Sequence, residues 1–435
     1  MFEETSMFIV SSTVQRIRRS AAAMAALAAL AFLPRPSAAG ESVTIDGELH
    51  IRNGRAPAKG VETVSLEEIW RAGGENDEEV FFGLISQVLT DEKGNVYLLD
   101  TQLSEIQVYS PDGVRIKTLS REGDGPGETK NPSDMLFMAD GSIGLVQTFP
   151  GKIVQVDREG APAGVFTVGD ATEGGFVVLI DALQAEGGVV CSGILISANP
   201  AQGTQTRTSI LASYNPDGSE KTRYLEKVDN WDFNKLSIIE KNQYFVFPRR
   251  WTVAADGRVF SAPERNGYAI HVHKADGTLD RIIERQYEPW RRTEKDLAVV
   301  NAIMEGQKRR IPFEVETKVE DTEPDISEIR AAPDGSIWVL SSRGNRDQPE
   351  GILMTYDVFD AEGHFTKQVQ IECEGDSLED GLIFAGNDRV IRITGFMDAL
   401  ISLQGGSSEA SEEEEEEEGE AAPMEAICYS MKAGS

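Results

Sequence analysis

The sequence predicts an all-β chain that folds as a six-bladed β-propeller, with a short helical insertion and an acidic disordered loop. Two phrases recur: a turn that runs into a strand, as at residues 94–100, and a strand that ends in a turn, as at residues 106–113. In this first copy the two turn glycines are 19 residues apart. Repeats of roughly 40–50 residues that contain several short strands are typical of propeller blades.

The turns explain how the strands of one blade are joined. An Asp-Gly pair supplies the positive φ angles of a two-residue hairpin, so each pair connects two antiparallel strands. Later copies place their paired glycines at 141 and 160, at 257 and 277, and at 335 and 363, the last pair being stretched by the loop 343–350. The strand at 336–340 is apolar on both faces, as expected for a blade packed between two neighbours.

Six copies of the repeat give the number of blades. They cover residues 91–118, 138–166, 187–224, 252–284, 329–370 and 386 to about 431, and the third copy is degraded in its first half. The run 43–70 contains strand-like segments but is too short for a blade. A propeller ring closes when one terminus adds a strand to the blade built by the other. We therefore expect this run to complete the last blade.

The connection after the first blade resembles that of a known family. Residues 120–128 read Ser-Arg-Glu-Gly-Asp-Gly-Pro-Gly-Glu and are followed by Pro132, a strand and an Asp-Gly turn. This order resembles the inter-blade connection of NHL-repeat six-bladed propellers, in their secreted bacterial branch. The resemblance covers most of the mature chain, although this junction alone carries the motif in full. It implies the fold and a ligand-binding or scaffolding role, and it supplies no catalytic residues.

Charge and the N-terminal segment restrict partners and location. The 435 residues carry a formal charge of −31, which excludes nucleic acid as a partner. Residues 1–39 resemble a signal peptide, with arginines at 16, 18 and 19, an apolar core at 21–33 and small residues at 37–39. Because a bilayer span needs about 20 apolar residues, we expect cleavage rather than membrane insertion. The expected product, residues 40–435, is soluble and periplasmic or secreted, with no lipid anchor; an uncleaved anchor is the alternative.

The three cysteines, Cys191, Cys373 and Cys428, fall in or beside strands of different blades. An odd number leaves at least one thiol unpaired in an oxidising compartment. We expect all three to be buried thiols. A Cys373–Cys428 disulfide near the ring closure is the alternative.

Two insertions interrupt the repeat. In the first, at about 286–325, residues 293–296 resemble a capping box, apolar residues follow at helical spacing, and basic residues at 308–310 precede Pro312. This pattern predicts a helix of about four turns that packs on one face of the disc. The second, at about 405–423, contains an unbroken glutamate run at 412–418 and is expected to be disordered. A calcium-attracting or partner-binding role for that loop is the alternative.

Metal-ligand candidates fall into two groups. His271 and His273 share one face of a strand and could bind an ion with a third ligand from the neighbouring blade. Asp100, Glu264 and Asn266 offer oxygen ligands for calcium on loops near the axis. The alternative readings are ordinary blade histidines and an Asp100 that accepts hydrogen bonds from the next turn. No nucleophile elbow, zinc motif or phosphate loop is found in the sequence.

A third group combines arginine with tryptophan in loops that enter or leave blades. On one face of an acidic protein such a set would form a positive, aromatic-lined mouth for an anionic or sugar-like ligand. Plain solvation of these side chains is the alternative. The group consists of Arg249, Arg250, Arg265, Arg343, Arg346, Trp231 and Trp251.

These observations predict an exported, non-catalytic binding or scaffold module. It would recognise a protein or a small ligand through loops on one face, without a cofactor. The alternative is a calcium-dependent hydrolase, lactonase or lyase that uses the axial channel. An enzyme would aim at least three acids, amides or histidines at one end of the axis, whereas a binding module requires no such convergence.

Overall fold

The computed structural model describes residues 40–77, 79–169, 175–199, 201–233, 235–245, 248–309, 311, 315–386, 388–403 and 423–433. The predicted signal peptide and residues 405–422 of the predicted acidic loop lie outside these residues. Within them the chain is a β-propeller, built from strands with two α-helices and one short 3-10 helix. Three strands precede the ring: β1 (Glu41–Ile45), β2 (Glu48–Asn53) and β3 (Val61–Gly73).

The first three blades are four-stranded antiparallel sheets. The first contains β4 (Ile85–Thr90), β5 (Val96–Asp100), β6 (Glu105–Tyr109) and β7 (Arg115–Leu119). The second contains β8 (Pro132–Phe137), β9 (Ile143–Gln147), β10 (Lys152–Val156) and β11 (Pro162–Thr167). The third contains β12 (Phe176–Ala185), β13 (Gly188–Asn199), β14 (Thr204–Tyr214) and β15 (Glu220–Asp232).

The other three blades follow an insertion that holds β16 (Ser237–Ile239) and the 3-10 helix η1 (Glu240–Gln243). The fourth contains β17 (Trp251–Val253), β18 (Val259–Ser261), β19 (Ala269–His273) and β20 (Leu279–Arg285). A second insertion holds α1 (Glu294–Arg309) and β21 (Glu316–Lys318). The fifth blade contains β22 (Ile326–Ala331), β23 (Ile337–Ser341), β24 (Ile352–Phe359) and β25 (Phe365–Glu372). The sixth contains β26 (Gly381–Ala385), β27 (Arg389–Ile393) and β28 (Glu425–Ala433), with α2 (Phe396–Leu403) after β27.

Contacts between the first strands of the blades close the ring. β4 contacts β8, β8 contacts β12, β12 contacts β17, β17 contacts β22, and β26 contacts β4. The fifth and sixth blades share an apolar core that joins β24 and β25 to β26 and β27. Apolar strands therefore bury both of their faces between neighbouring blades, as the sequence predicted.

The N-terminal run closes the ring, but not as one piece. β3 pairs antiparallel with β28 as the fourth strand of the sixth blade, and its start pairs parallel with β25. The expectation that the whole run 43–70 completes the last blade was wrong, because β1 and β2 form a hairpin on β20 of the fourth blade. The turn of this hairpin has positive φ at Asp46 and Gly47. Both additions cover outer strand edges that would otherwise expose unpaired backbone groups.

The insertions within the described residues emerge on one face of the disc. Turns with a glycine at positive φ join the first to the second strand in all six blades and the third to the fourth strand in the first five, so they share one face, here called the turn face. The remaining connections lie on the opposite face, here called the insertion face, and they carry η1, α1, α2 and the loop 343–350. The predicted helix is confirmed, and its capping box forms: the Thr293 N–H donates to Asp296 Oδ2 (2.8 Å) and the Asp296 N–H to Thr293 Oγ1 (3.2 Å).

Candidate binding groove and axial polar belt

The third blade rises above the disc on the insertion face. Its strands β13 and β14 are 12 and 11 residues long, against 5 for β5 and β6 of the first blade. Their pairing starts beside the turn face, at Val189 and Tyr214, and continues to Asn199 and Thr204. The extra length is therefore all on the insertion face.

A groove of about 770 Å³ lies between this extension, the β16–η1 insertion and the end of α1. Trp231 of β15 lines it, and the guanidinium carbon of Arg207 lies 3.4 Å from the centre of the Trp231 ring. Burial lowers the pKa of Arg207 from its ordinary value. The apolar part of the lining consists of Ile180, Ile194, Phe233, Leu236, Ile238, Ile239, Phe245 and Ile311.

Two of the predicted ligand arginines are buried, and their guanidinium groups donate hydrogen bonds to other groups inside the protein. Arg250 donates to the carbonyl oxygens of Tyr244 (3.1 Å) and Glu264, and burial lowers the pKa of its guanidinium to about 10. Arg265 donates to Glu240 Oε1 (2.9 Å) and to Asn266 Oδ1 (2.9 Å). With side chains this well enclosed, neither residue offers a free charge at the surface.

Glu240 is the centre of an ion network that anchors the insertions. Arg292 donates to it through both terminal nitrogens (2.7 and 2.8 Å) and to Glu323 (3.0 Å). Arg346, another predicted ligand residue, pairs with Glu323 and with Asp296, both at 3.2 Å. The side chains of Arg292 and Glu240 are 1% and 3% exposed. Arg265 and Arg346 are therefore both members of an ion network that joins η1, α1 and the loop 343–350.

Arg249 lies at the axis. Its Nη2 donates to the carbonyl oxygen of Ser86 (3.1 Å), and Ser86 belongs to the first blade, opposite the fourth blade that Arg249 precedes. The backbone holds Arg249 at φ 65°, a left-handed conformation that costs about 1–3 kcal/mol for a residue other than glycine. Its guanidinium also faces the ring of Phe396 in α2, at 5.6 Å.

A belt of polar side chains, here called the axial belt, surrounds Arg249. It consists of Gln87, Asp134, Asp181 and Glu328, each on the first strand of a blade. In all four strands the pairing with the second strand shifts by one residue just before the belt position. Such bulges re-aim side chains and are common beside functional sites. Sequence reasoning missed the belt, although three of its members stand seven residues before a turn glycine.

Most of the belt is used to connect blades. Gln87 Nε2 donates to Asp134 Oδ1 (2.7 Å), and the Ala182 N–H donates to Asp134 Oδ2 (3.1 Å). Trp251 Nε1 donates to both oxygens of Asp181 (2.9 and 3.0 Å). These bonds join the first blade to the second, the second to the third, and the fourth to the third. Trp251, a predicted ligand residue, is thus a core residue that stabilises the ring.

The belt carboxyl groups have raised pKa values. Burial, and secondly the negative charge of Asp134, raise the pKa of Asp181 to about 7. Burial also raises the pKa of Asp134 and that of Glu328. No residue in the described part of the chain donates a hydrogen bond to the Glu328 carboxylate; the charges of Arg249 and Arg330 act on it from a distance. Glu328 is therefore the belt member with unused hydrogen-bonding capacity.

The calcium-ligand candidates do not converge. Asp100 accepts hydrogen bonds from the backbone N–H groups of Gly83 (2.7 Å), Leu84 (3.1 Å) and Leu103 (3.0 Å), which is the alternative foreseen for it. Glu264 and Asn266 lie exposed on the loop after β18. Across the described residues, no three histidine, cysteine or acidic side chains are placed to hold a metal ion.

The histidine pair lies on one strand face, with ring centres 6.4 Å apart. Burial, and secondly the charge of His271, lower the pKa of His273 to about 4. Burial also lowers the pKa of His271. Both rings are therefore held in the neutral form near neutral pH, and His273 packs edge-on against Tyr224 at 6.2 Å.

All three thiols are free, but the expectation that all are buried was wrong for Cys373, which is half-buried, whereas Cys191 and Cys428 are buried. Cys428 lies in the core between the sixth and first blades, whereas Cys373 contacts the adjacent Tyr429. Neighbouring residues of β28 point to opposite faces of the sheet, so Cys428 points away from Cys373. No helix in the described ranges has the length and apolar character that a membrane span requires.

Comparison with known proteins adds general resemblance in architecture. No family model and no curated protein matches the chain. A putative exported protein from Bacteroides fragilis matches over 89% of this chain and 100% of its own, at 9% identity and a TM-score of 0.44. The calcium-binding protein regucalcin from Agrobacterium tumefaciens also matches, over 86% of this chain and 97% of its own, at 10% identity and a TM-score of 0.39. Virginiamycin B lyase from Staphylococcus aureus matches over 75% of this chain and 81% of its own, at 12% identity and a TM-score of 0.36. Likeness at this level transfers neither ligand nor activity.

Proposed function

We propose that this protein is an exported, non-catalytic binding module that recognises an extended peptide segment of a partner protein in the groove beside Trp231. The observation that carries the proposal is the extension of the third blade, which adds length on the insertion face alone and encloses the groove. Interaction sites on rigid scaffolds are concentrated in such added segments.

The lining of the groove indicates the chemistry of its ligand. Acidic Asp229 and Asp232 are balanced by basic Arg207 and Lys235, so net charge does not select the ligand. The apolar and aromatic floor, with the Arg207 plane already stacked on Trp231, favours aliphatic or aromatic side chains of a peptide. The ligand we propose is therefore a peptide with apolar anchor residues.

Selection from a random peptide library tests the proposal. The mature protein is the bait, and binding of the enriched peptides to Trp231→Ala is measured afterwards. We expect enriched peptides to share apolar anchors and to bind Trp231→Ala at least about tenfold more weakly, the effect of about 1.4 kcal/mol. Phe149→Ala is the matched control, because Phe149 is an exposed aromatic residue (60%) in another loop of the same face. Failure to enrich any peptide, or equal binding by Trp231→Ala, would refute the proposal.

A second candidate is the predicted alternative, a hydrolase, lactonase or lyase at the axis. The carboxylate of Glu328, which has no hydrogen-bond donor among the described residues, favours it: burial raises its pKa, Arg249 acts on it by charge, and such a group can hold and transfer a proton. The bonds that commit Asp134 and Asp181 to neighbouring blades argue against it. Turnover of ester, lactone or thioether substrates that Glu328→Gln abolishes would establish this function. Metal content, and melting with and without a chelator, test its calcium-dependent form.

Export and membership of the NHL-repeat propellers belong to the proposal as well. At the junction that carries the family motif, Glu128 accepts hydrogen bonds from the Gly125 N–H (2.8 Å) and from Arg121 Nε (2.7 Å). The glutamate of the motif thus holds the connection in its folded form. A mature N-terminus at or near Gly40, determined by mass spectrometry on protein recovered outside the cytoplasm, would support export.

A further inference from the structure

A polar pocket of about 380 Å³ lies on the insertion face between the fourth and fifth blades. The loop 343–350, which stretches the repeat of the fifth blade, forms one wall, and Arg55 with the end of β20 forms the other. Of its 14 lining residues, Gly344 and Pro349 alone have no polar group in the side chain. The pocket shares no residue with the groove or with the axial belt.

The floor of the pocket breaks the apolar pattern of the blades. Thr355 pairs with Gln370 and Asp357 with Gln368 across β24 and β25, so these four polar side chains share one face of the sheet. The opposite face of the same strands is apolar and packs in the core shared with the sixth blade. Burying polar groups between blades costs free energy unless they are paired. Thr355 is paired with Gln348, and Gln368 with Asp357, so among the described residues Gln370 is the member of this face that has no hydrogen-bond partner.

The frame of the pocket is fixed while two of its amides are open. Asp357 accepts hydrogen bonds from Tyr268 (2.7 Å) and Gln368 (2.9 Å) and pairs with Arg285. In the described part of the chain, nothing hydrogen-bonds to the side-chain amides of Gln286 and Gln370. Each of these carboxamides can donate and accept at once, and a fixed frame lowers the entropic cost of binding.

The charges of the pocket cancel. Three ion pairs line it or lie beneath it: Arg55–Glu288 (3.6 Å), Arg343–Asp347 (3.9 Å) and Arg285–Asp357. An anionic ligand would therefore find no excess positive charge. A ligand with many hydroxyl groups, each a donor and an acceptor, matches two open amides among paired charges. Ligand pockets range over about 300–1,000 Å³, so this volume suits one or two sugar rings.

We propose that this pocket binds a neutral saccharide. The site is independent of the peptide groove, and it gives Arg343 the sugar-binding surroundings that the sequence predicted for a larger set of arginines. Gln286 and Gln370 are its specificity-determining residues.

Ligand-observed NMR and calorimetry on the mature protein test the site with glucose, N-acetylglucosamine, maltose, cellobiose and, as an anionic probe, glucuronate. We expect at least one neutral sugar to bind. Gln370→Leu should weaken that binding about tenfold, because one hydrogen-bonded amide is replaced by an apolar group of similar size. Gln286→Leu, at the exposed rim, should act in the same direction. Gln155→Leu on β10 is the matched control and should bind as the unmodified protein does.

Three results would overturn the proposal: no probe binds, glucuronate binds more tightly than every neutral sugar, or Gln370→Leu and Gln286→Leu both bind without loss. The melting temperature of each variant is measured alongside. A loss of binding supports the proposed site when the variant has the same melting temperature as the unmodified protein. If Gln370→Leu is unfolded, Gln286→Leu decides.

Discussion

The burial of Asp181, whose carboxyl group accepts hydrogen bonds from the indole of Trp251, should make the stability of the ring depend on pH. Burial raises the folded-state pKa of Asp181 from 3.8 to about 7. Between these values the folded protein keeps a proton that the unfolded chain has released, so the free energy of unfolding falls as pH rises. A shift of about three units is worth about 4 kcal/mol. Asp181→Asn should remove this dependence and leave a flatter profile.

Trp251→Phe removes both indole hydrogen bonds to Asp181 and keeps an aromatic ring in the core. At about pH 8 Asp181 is charged, and a hydrogen bond to a charged group contributes about 1.5–3 kcal/mol. At about pH 5 it is protonated, and a neutral bond contributes about 0.5–1.5 kcal/mol. Trp251→Phe should therefore lower the free energy of unfolding by about 1–1.5 kcal/mol more at pH 8 than at pH 5. The lost packing contributes equally at both pH values and cancels.

Urea denaturation at about pH 5 and about pH 8 measures the free energy of unfolding of four proteins: the unmodified protein, Trp251→Phe, Asp181→Asn and the double variant. The excess cost of Trp251→Phe at high pH should disappear in the Asp181→Asn background, because no charge remains to be stabilised. If that cost is the same at both pH values, or if its pH dependence survives in the Asp181→Asn background, the hydrogen bonds do not act on an ionised Asp181 and the reasoning fails.

Three further predictions concern the ring and the insertions. Arg292→Met should lower the free energy of unfolding, measured by urea denaturation, by about 3–5 kcal/mol, because Glu240 and Glu323 lose a buried partner. The control is substitution of the neighbouring Arg291, which is 83% exposed and should change that free energy by at most about 1 kcal/mol. Gly113→Ala should lower the free energy of unfolding by about 1–3 kcal/mol more than Gly141→Ala does. Both glycines have φ near +85°, but the new Cβ at Gly113 would meet Trp70 at 2.5 Å, whereas the Cβ at Gly141 would meet nothing within 4 Å. Equal losses in the two variants would contradict this prediction. A thiol reagent on the folded protein should modify Cys373 alone, and Cys373→Ser should abolish labelling, because Cys191 and Cys428 are buried and burial raises the pKa of Cys428 to about 11.

The elements that the sequence predicted are those fixed by local chemistry. Asp-Gly turns, the Thr293–Asp296 capping box and the alternation of strands and turns depend on residues close in the chain, and all of them form. The division of the N-terminal run between the fourth and sixth blades depends on which strand edge is left open. That edge belongs to residues far away in the chain, so the residues near the run do not predict it. The same holds for the partners of Glu240: Arg265 and Arg292 lie 25 and 52 residues away in the chain.

The axial belt lies between these cases. Its positions can be found by counting seven residues back from the turn glycines, which gives Gln87, Asp134 and Glu328. Their convergence also requires the bulges that re-aim them, and a bulge is a property of pairing between strands. Likewise, the arginine–tryptophan group was chosen by residue type and loop position. Burial then separates its members: Arg250 and Trp251 are core residues, while Trp231 lines the groove.

The buried ion network connects the stability of the insertions to the proposed binding of a peptide. Glu240 directly follows β16, whose Ile238 and Ile239 line the groove, and Arg265 and Arg292 hold that glutamate inside the protein. Met304 of α1 belongs to the same buried apolar cluster as Ile238. One wall of the groove is thus fixed before any ligand arrives, which lowers the cost of ordering it on binding. Arg292→Met should therefore weaken peptide binding although Arg292 does not line the groove, whereas substitution of the exposed Arg291 should leave peptide binding unchanged.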